Sequence, residues 1–284
     1  YIFIINKGIY MNSELTLAES LLYSTVKITS TLRGQIIGTG TGFYTSFRKT
    51  SEYIAPVLIT NKHVIKNADS IVIQCHLKDP NHNRPSGNLI NVSISLNNIV
   101  FNHPDSNIDL CAISLFDLIN QTNNDGKVIF VSPIHMSWIP DESDWEYFDA
   151  IEEVTMIGCP NGLFDSVNNL PLIRQGVTAT SPNKPYNGKQ EFMVDMACFP
   201  GSSGSPILLY NPTGYFNKRT GSYILGQIRL KLIGILYAGP QISNTGQVIL
   251  NKGPQFEVSS MMHLGIAIRS SELKKLEKIY ISTF

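Results

Sequence analysis

Apolar and polar residues alternate with a period of two along nearly the whole chain, in β-branched and aromatic runs separated by clusters of Gly, Asn, Pro and Ser. Such alternation puts the apolar side chains on one face of a strand, which commits the chain to sheets. Strands are expected in the first half at 25–31, 35–44, 55–60, 70–75, 89–96 and 108–115, and in the second at 153–157, 172–180, 191–195, 205–210, 231–237 and 263–268. Over 116–150 the alternation fails. There the acidic, aromatic stretch 138–145 reads as a connector, with a short helix expected near 144–150. The expected fold class is all-β, with two six-stranded antiparallel barrels, because closure removes the edges that an open six-stranded sheet would expose. The expected boundaries are an N-terminal extension at 1–21, barrels at 22–118 and 151–268 flanking a connector at 119–150, and a C-terminal helix at 269–284. Ser270 or Ser271 can cap that helix. Leu273, Leu276, Ile279 and Tyr280 fall on one face of it, expected to pack against the second barrel.

The 284 residues carry 22 basic and 22 acidic side chains and are 43% apolar. Disorder would call for fewer apolar residues and a nucleic-acid partner for an excess of cations, so both are disfavoured. The longest apolar runs, at 2–5 and 233–236, fall far short of the roughly 20 residues that cross a bilayer. No export leader is evident, so a cytoplasmic protein without membrane partners is expected. The segment before Met11 looks like vector or upstream sequence. Cys75, Cys111, Cys159 and Cys198 are scattered without a Cys-x-x-Cys pair; they read as reduced, buried thiols, and neither a metal nor a cofactor is signalled.

Three segments combine a reactive side chain with a setting that would expose it. In Leu58-Ile-Thr-Asn-Lys-His63-Val64 an apolar strand ends on an imidazole; Asn107-Ile-Asp109-Leu opens an apolar strand with a carboxylate; Cys198-Phe-Pro-Gly201-Ser-Ser203-Gly204-Ser-Pro206 frames a hydroxyl with glycines. A serine hydroxyl is a poor nucleophile until a base takes its proton, and the base works best when a carboxylate fixes its tautomer. Glycine allows an unusual main chain that aims the N–H groups of Gly201 and Ser203 at one point, where an oxyanion would develop. The order His63, Asp109, Ser203 therefore suggests a hydrolytic relay.

These blocks, Thr60-Asn-Lys-His63-Val, Ile108-Asp109-Leu and Pro200-Gly-Ser-Ser203-Gly-Ser-Pro206, resemble the signatures of trypsin-like (chymotrypsin-fold) serine peptidases, most closely the bacterial branch with the HtrA/Deg peptidase domain. Gly40-Thr-Gly-Phe43, Gly158-Cys-Pro-Asn-Gly162, Gly176-Val, Gly234-Ile-Leu-Tyr and Gly265-Ile-Ala-Ile resemble supporting segments of that family. The resemblance implies two barrels with the active site between them. It also implies catalytic His63, Asp109 and Ser203, an oxyanion hole at Gly201 and Ser203, and substrate contacts at Ala197, Tyr237, Ala238, Gly239, Gly265 and Ala267. Ala197 falls at the floor of the primary pocket, and none of these pocket residues is charged, so a small or medium apolar side chain is expected there. Residues 237–239 are expected to bind substrate backbone as an added strand. Ser202 stands where secreted relatives carry an Asp that pairs with a freshly cut N-terminus, so activation by that route is not expected. A PDZ-like domain is not expected to follow, nor is peptide-tail sensing of the HtrA kind.

Rival readings accompany each feature. Asp105 competes with Asp109, and Ser202 and Ser205 compete with Ser203. Asp195 reads as a pocket brace, and Cys198 as a buried thiol rather than a nucleophile. The run 38–42 reads as close strand packing, since no helix or Lys-Ser/Thr pair completes a phosphate loop. An α/β-hydrolase would need a helix after the nucleophile, whereas 206–210 reads as a strand. The expected function is a serine endopeptidase acting on protein or peptide substrates, with low basal activity because the acidic connector or the long 240–262 loop blocks or disorders the site, and with a partner or oligomerisation controlling it. The alternative is a peptidase-like module that binds peptides without turnover.

Overall fold

The computed structural model describes residues 14–48, 54–239, 241–247 and 255–283. The 1–10 segment lies outside them. The first half carries β1 (Thr25–Leu32), β2 (Gln35–Arg48), β3 (Ile54–Thr60), β4 (Ser70–Lys78), β5 (Pro85–Ser95), β6 (Val100–Asn102), β7 (Cys111–Ser114) and β8 (Ile129–Phe130). The second carries β9 (Glu153–Gly158), β10 (Leu172–Thr178), β11 (Glu191–Asp195), β12 (Pro206–Asn211), β13 (Gly214–Asn217), β14 (Ser222–Leu225), β15 (Arg229–Ala238), β16 (Gln241–Gln247), β17 (Gln255–Met261) and β18 (Leu264–Arg269). Helices α1 (Leu17–Leu22), α2 (Phe116–Asn124) and α3 (Glu272–Thr283) complete the order.

One expected barrel closes and the other does not. β10, β11, β18, β15, β12 and β9 form a closed ring, whereas the first half is an open eight-stranded sheet in the order β5-β4-β1-β2-β3-β7-β6, with β8 paired to β4. Six expected strands are present in each half, but β6 and β8 add short pieces at the first sheet, and the edges of β5 and β6 do not meet. The first sheet wraps Val26, Ile28, Leu58, Ile71, Ile73 and Ile113 into its own core. The ring encloses Val154, Met156, Phe192, Val194, Ile207 and Ile233. A third cluster, with Phe43, Phe47, Ile59, Ile157, Leu208 and Ile268, fuses the two halves. Within β2 a β-carbon at Gly40 would collide with the Val64 side chain, and one at Gly42 would lie 2.8 Å from Ile28 Cδ1; the glycine run there lets the backbone pack closely.

Two expectations about local structure need correction. Segment 240–262 is not a plain loop: β16 and β17 pair antiparallel, Gln241 opposite Met261. Helix α3 also packs back onto the first half. Its Tyr280 ring stacks edge-on against Phe47 of β2 and Phe101 of β6, at 5.5 and 4.6 Å between centroids, and its hydroxyl meets Ser114 Oγ of β7 at 3.1 Å. A large ring with a polar tip goes where both needs are met, and the face of α3 turns accordingly: Leu273, Leu276 and Tyr280 are buried while Ile279 stays 39% exposed. The connector's expected helix is a 3-10 turn over Glu142–Tyr147, and α2 precedes it. Among the described residues no helix is long and apolar enough to cross a membrane.

The start of α3 is tied to the first half by a buried pair. His103 Nε2 and Glu272 Oε2 lie 3.0 Å apart, at ion-pair distance but off hydrogen-bond alignment, with both side chains almost fully covered. His103 Nδ1 accepts the Asp105 N–H at 3.2 Å. Burial holds the His103 imidazole below its ordinary value, although the Asp105 backbone and the Glu272 charge pull it upward; Lys62 and Lys275 push it further down. Burial likewise lowers His76 and His135. Below about pH 6.5 the unfolded chain therefore takes up protons that the folded one resists, so stability drops as pH falls through that window. Urea unfolding midpoints should decrease from neutral to mildly acidic buffer; a midpoint that held steady or rose would contradict this.

Candidate active site

β3 and β7 are antiparallel neighbours, with Thr60 opposite Cys111. The chain therefore leaves β3 at the same edge where it enters β7, which sets residues 61–63 beside Asp109. Asn61 is fully buried and donates from Nδ2 to the Asp109 carbonyl at 2.7 Å. His63 follows on a 3-10 turn, Lys62–Ile65. Its backbone N–H donates to Asp109 Oδ1 at 3.1 Å, and its Nδ1 lies 2.5 Å from Oδ2. Lys62 Nζ donates to the carbonyls of His103 and Asp105, bracing the loop that carries Asp109.

The His63 side chain is 45% exposed and that of Asp109 23%, so the pair is open to a ligand. Burial opposes the Asp109 charge, but the hydrogen bonds and charge of His63 outweigh it and hold the carboxyl below its usual value. The rival Asp105 turns its Oδ1 to the Asn107 N–H at 2.9 Å. Asp195 is exposed at the end of β11.

The serine loop is held by its carbonyls. The Pro200 carbonyl accepts the Asn161 N–H at 2.5 Å, Gly201 the Thr41 hydroxyl at 2.8 Å, Ser202 the Ser205 N–H at 3.0 Å and Ser203 the Thr41 N–H at 2.9 Å. A trans peptide points its N–H opposite to its C=O. The Pro200 and Ser202 carbonyls are thus turned to protein donors, and the Gly201 and Ser203 N–H groups face the other way. Among the described residues neither of these two N–H groups has an acceptor, while those of Ser202 and Gly204 go to Phe199 and Leu236. Positive φ at Gly201 (83°) and Gly204 (90°) makes the alternation sterically accessible.

Ser202 and Ser205 are fully buried, whereas Ser203 is only partly so. Ser203 Oγ donates to the Tyr237 carbonyl at 3.3 Å; among the described residues no hydrogen bond joins it to His63. Burial pushes the Cys198 thiol up to about 12, which keeps it protonated and a poor nucleophile. Cys75, Cys111 and Cys159 are buried, unpaired thiols as well.

The expected substrate contacts divide into two groups. Ala197, Tyr237, Ala238 and Gly239 are partly exposed along the serine loop and the end of β15. The pairing of β15 with β18 shifts register between Leu236 and Ala238, and this bulge re-aims Tyr237 so that its carbonyl meets Ser203. Its hydroxyl donates to Glu191 Oε1 at 2.9 Å, which anchors the ring toward β11. Gly265 and Ala267 lie deeper. A β-carbon at Gly265 would sit 2.5 Å from Cys198 Sγ and 2.6 Å from Leu236 Cδ1, and Ala267 is fully buried near Gly234 and Phe192. The structure brings neither of these two to the accessible surface. Among the described residues no group of three or more His, Cys, Asp or Glu side chains converges as metal ligands would.

Three residues absent from the expected site support it. Asn61 lay inside a quoted block, where an Asn before Lys-His signalled nothing by type alone. Arg174 of β10 donates to the Ala197 carbonyl and lies 5.0 Å from the Phe199 ring centroid, behind the serine loop. Thr41 of β2 holds two of the loop's four carbonyls.

A model of the trypsin-like peptidase domain matches residues 40–214. Among solved structures the chain is similar to the serine endoprotease from Yersinia pestis, at 18% identity over 91% of this chain, with a TM-score of 0.46. It spans 63% of that protein's chain. It is also similar to a mutant of Rv3671c from M. tuberculosis H37Rv in its inactive form, at 11% identity over 100% of this chain and 99% of that one, with a TM-score of 0.47. No curated protein matches the sequence. The matched segment begins within β2, ends at the start of β13 and contains His63, Asp109 and Ser203; the chain belongs to the trypsin-like peptidase domain family.

Proposed function

We propose that this chain is a serine endopeptidase that cleaves protein or peptide substrates through an acyl-enzyme on Ser203. The observation that carries the reading is the contact between His63 Nδ1 and Asp109 Oδ2, 2.5 Å long and open to solvent. With Nδ1–H held by the carboxylate, Nε2 is the acceptor for the Ser203 proton once the hydroxyl rotates away from the Tyr237 carbonyl. The Ser203 oxygen then attacks the scissile carbonyl, whose electron pair moves onto oxygen facing the Gly201 and Ser203 N–H groups. Collapse of this adduct expels the amine, which takes the proton from His63, and leaves an ester on Ser203. Water, deprotonated by His63, adds to the ester; collapse of the second adduct returns the proton to Ser203 and releases the acid.

The resting contact of Ser203 with Tyr237 supports a latent ground state that a partner or substrate must shift. Brisk cleavage of an unfolded protein by the purified monomer would contradict latency without touching the chemistry. Ala197 and the partly exposed end of β15 at Tyr237, Ala238 and Gly239 carry no charge, which supports a small apolar residue before the scissile bond. A peptide library should be cut after small apolar residues; preferred cutting after Lys, Arg or Phe would refute this.

The chemistry itself is tested with a fluorophosphonate, which phosphonylates an activated serine. Wild type should be labelled and Ser203→Ala should not. Equal labelling of both would remove Ser203 from the mechanism.

A further inference from the structure

We propose that Thr41 is a positioning residue for the oxyanion site, through which the half carrying His63 sets the loop carrying Ser203. The proposal rests on the reading of Ser203 as nucleophile. Thr41 lies in β2 and has no solvent exposure. Its hydroxyl donates to the Gly201 carbonyl at 2.8 Å and accepts the Cys159 N–H at 3.0 Å; its own N–H donates to the Ser203 carbonyl at 2.9 Å. The Thr41 carbonyl in turn accepts the Thr60 hydroxyl at 2.7 Å, at the end of the strand that leads to His63. One residue of the open sheet thus joins both ends of the Gly201-to-Ser203 segment, the 159–162 turn of the closed ring, and the strand that delivers the imidazole.

The hydroxyl is the part that a hydrophobic isostere would lose. Valine keeps the β-branch and the volume, but it leaves the Gly201 carbonyl and the Cys159 N–H buried without partners. The Gly201 carbonyl would then turn to find another donor, and the adjoining N–H groups would turn with it. A displacement of about 1 Å in a preorganised site reduces the chemical step by about 10²-fold. Serine restores the hydroxyl and lacks only a methyl group.

The test is fluorophosphonate inactivation of the full chain, with the maximal rate separated from the half-saturating concentration. Thr41→Val should lower the maximal rate by about 10²-fold with the half-saturating concentration little changed, and Thr41→Ser should stay near wild type. A general packing defect would not be rescued by serine or confined to the maximal rate. Should Thr41→Val react like wild type, or should Val and Ser lose rate equally, the proposal is overturned, while an unlabelled Ser203→Ala would leave the nucleophile reading standing. Labelling of Ser203→Ala would instead sink that reading. If Thr41→Val does not fold, amide hydrogen exchange on the wild type decides: protected Cys159 with exposed Gly201 and Ser203 supports the clasp, and fast exchange at Cys159 overturns it.

Discussion

Asp109→Asn is expected to lower peptide turnover by about 10⁴-fold while the chain stays folded. Asp109 accepts from both the backbone N–H and the Nδ1 of His63, and its own carbonyl is held by Asn61. An asparagine of the same shape can present its NH₂ to Nδ1. The imidazole then carries its proton on Nε2, where it can no longer accept one from Ser203. The carboxylate is partly exposed and its charge is favoured mainly by His63, so neutralising it should change the unfolding midpoint little. Turnover within tenfold of wild type, with the fold intact, would show that the contact is structural.

Gly204→Ala should have the largest effect on stability, more than about 4 kcal/mol, or no folded protein at all. Gly204 has φ of 90°, and a β-carbon there would collide with the Thr41 carbonyl oxygen and lie 2.7 Å from Thr60 Oγ1. Neither atom can yield cheaply, because the Thr60 hydroxyl is donating to that carbonyl and the strands carrying both residues are paired on either side. Gly34 is the control. Its φ is 79° with nothing within 4 Å of a β-carbon, so Gly34→Ala meets backbone strain alone, about 1 kcal/mol. Urea unfolding of the two variants separates strain from collision; equal, small losses at both positions would mean that the junction at Thr41 yields to a β-carbon.

The six ring strands of the second half were legible, whereas β16 and β17 fell in a stretch read as a loop. β10 alternates residue by residue, while β9, β12 and β15 carry buried runs on both faces and are marked by their apolar, β-branched composition. The first half was harder. β6 and β8 span three and two residues, too short for any period to register, and α1, a six-residue helix, is marked mainly by its Thr16–Glu19 capping box. Alternation also says which face of a strand is covered but not which edges meet. Closure was therefore expected twice and occurs once, because pairing is decided by contacts between residues far apart in the chain.

The candidate site divides in the same way. Residue type and order, His63 then Asp109 then Ser203 within a glycine frame, could be read in one dimension because each chemistry needs a particular side chain. The pairing of His63 with Asp109 depends on Thr60 standing opposite Cys111, and the hold of Thr41 on the Gly201 and Ser203 carbonyls depends on two halves docking through a shared core. Local preferences reach only a few residues along the chain. Hydrogen bonds and close packing across the fold act between groups that only folding brings within a few ångströms, so the partner of α3, the covering of Gly265 and Ala267 and the orientation of the Ser203 hydroxyl were decided there.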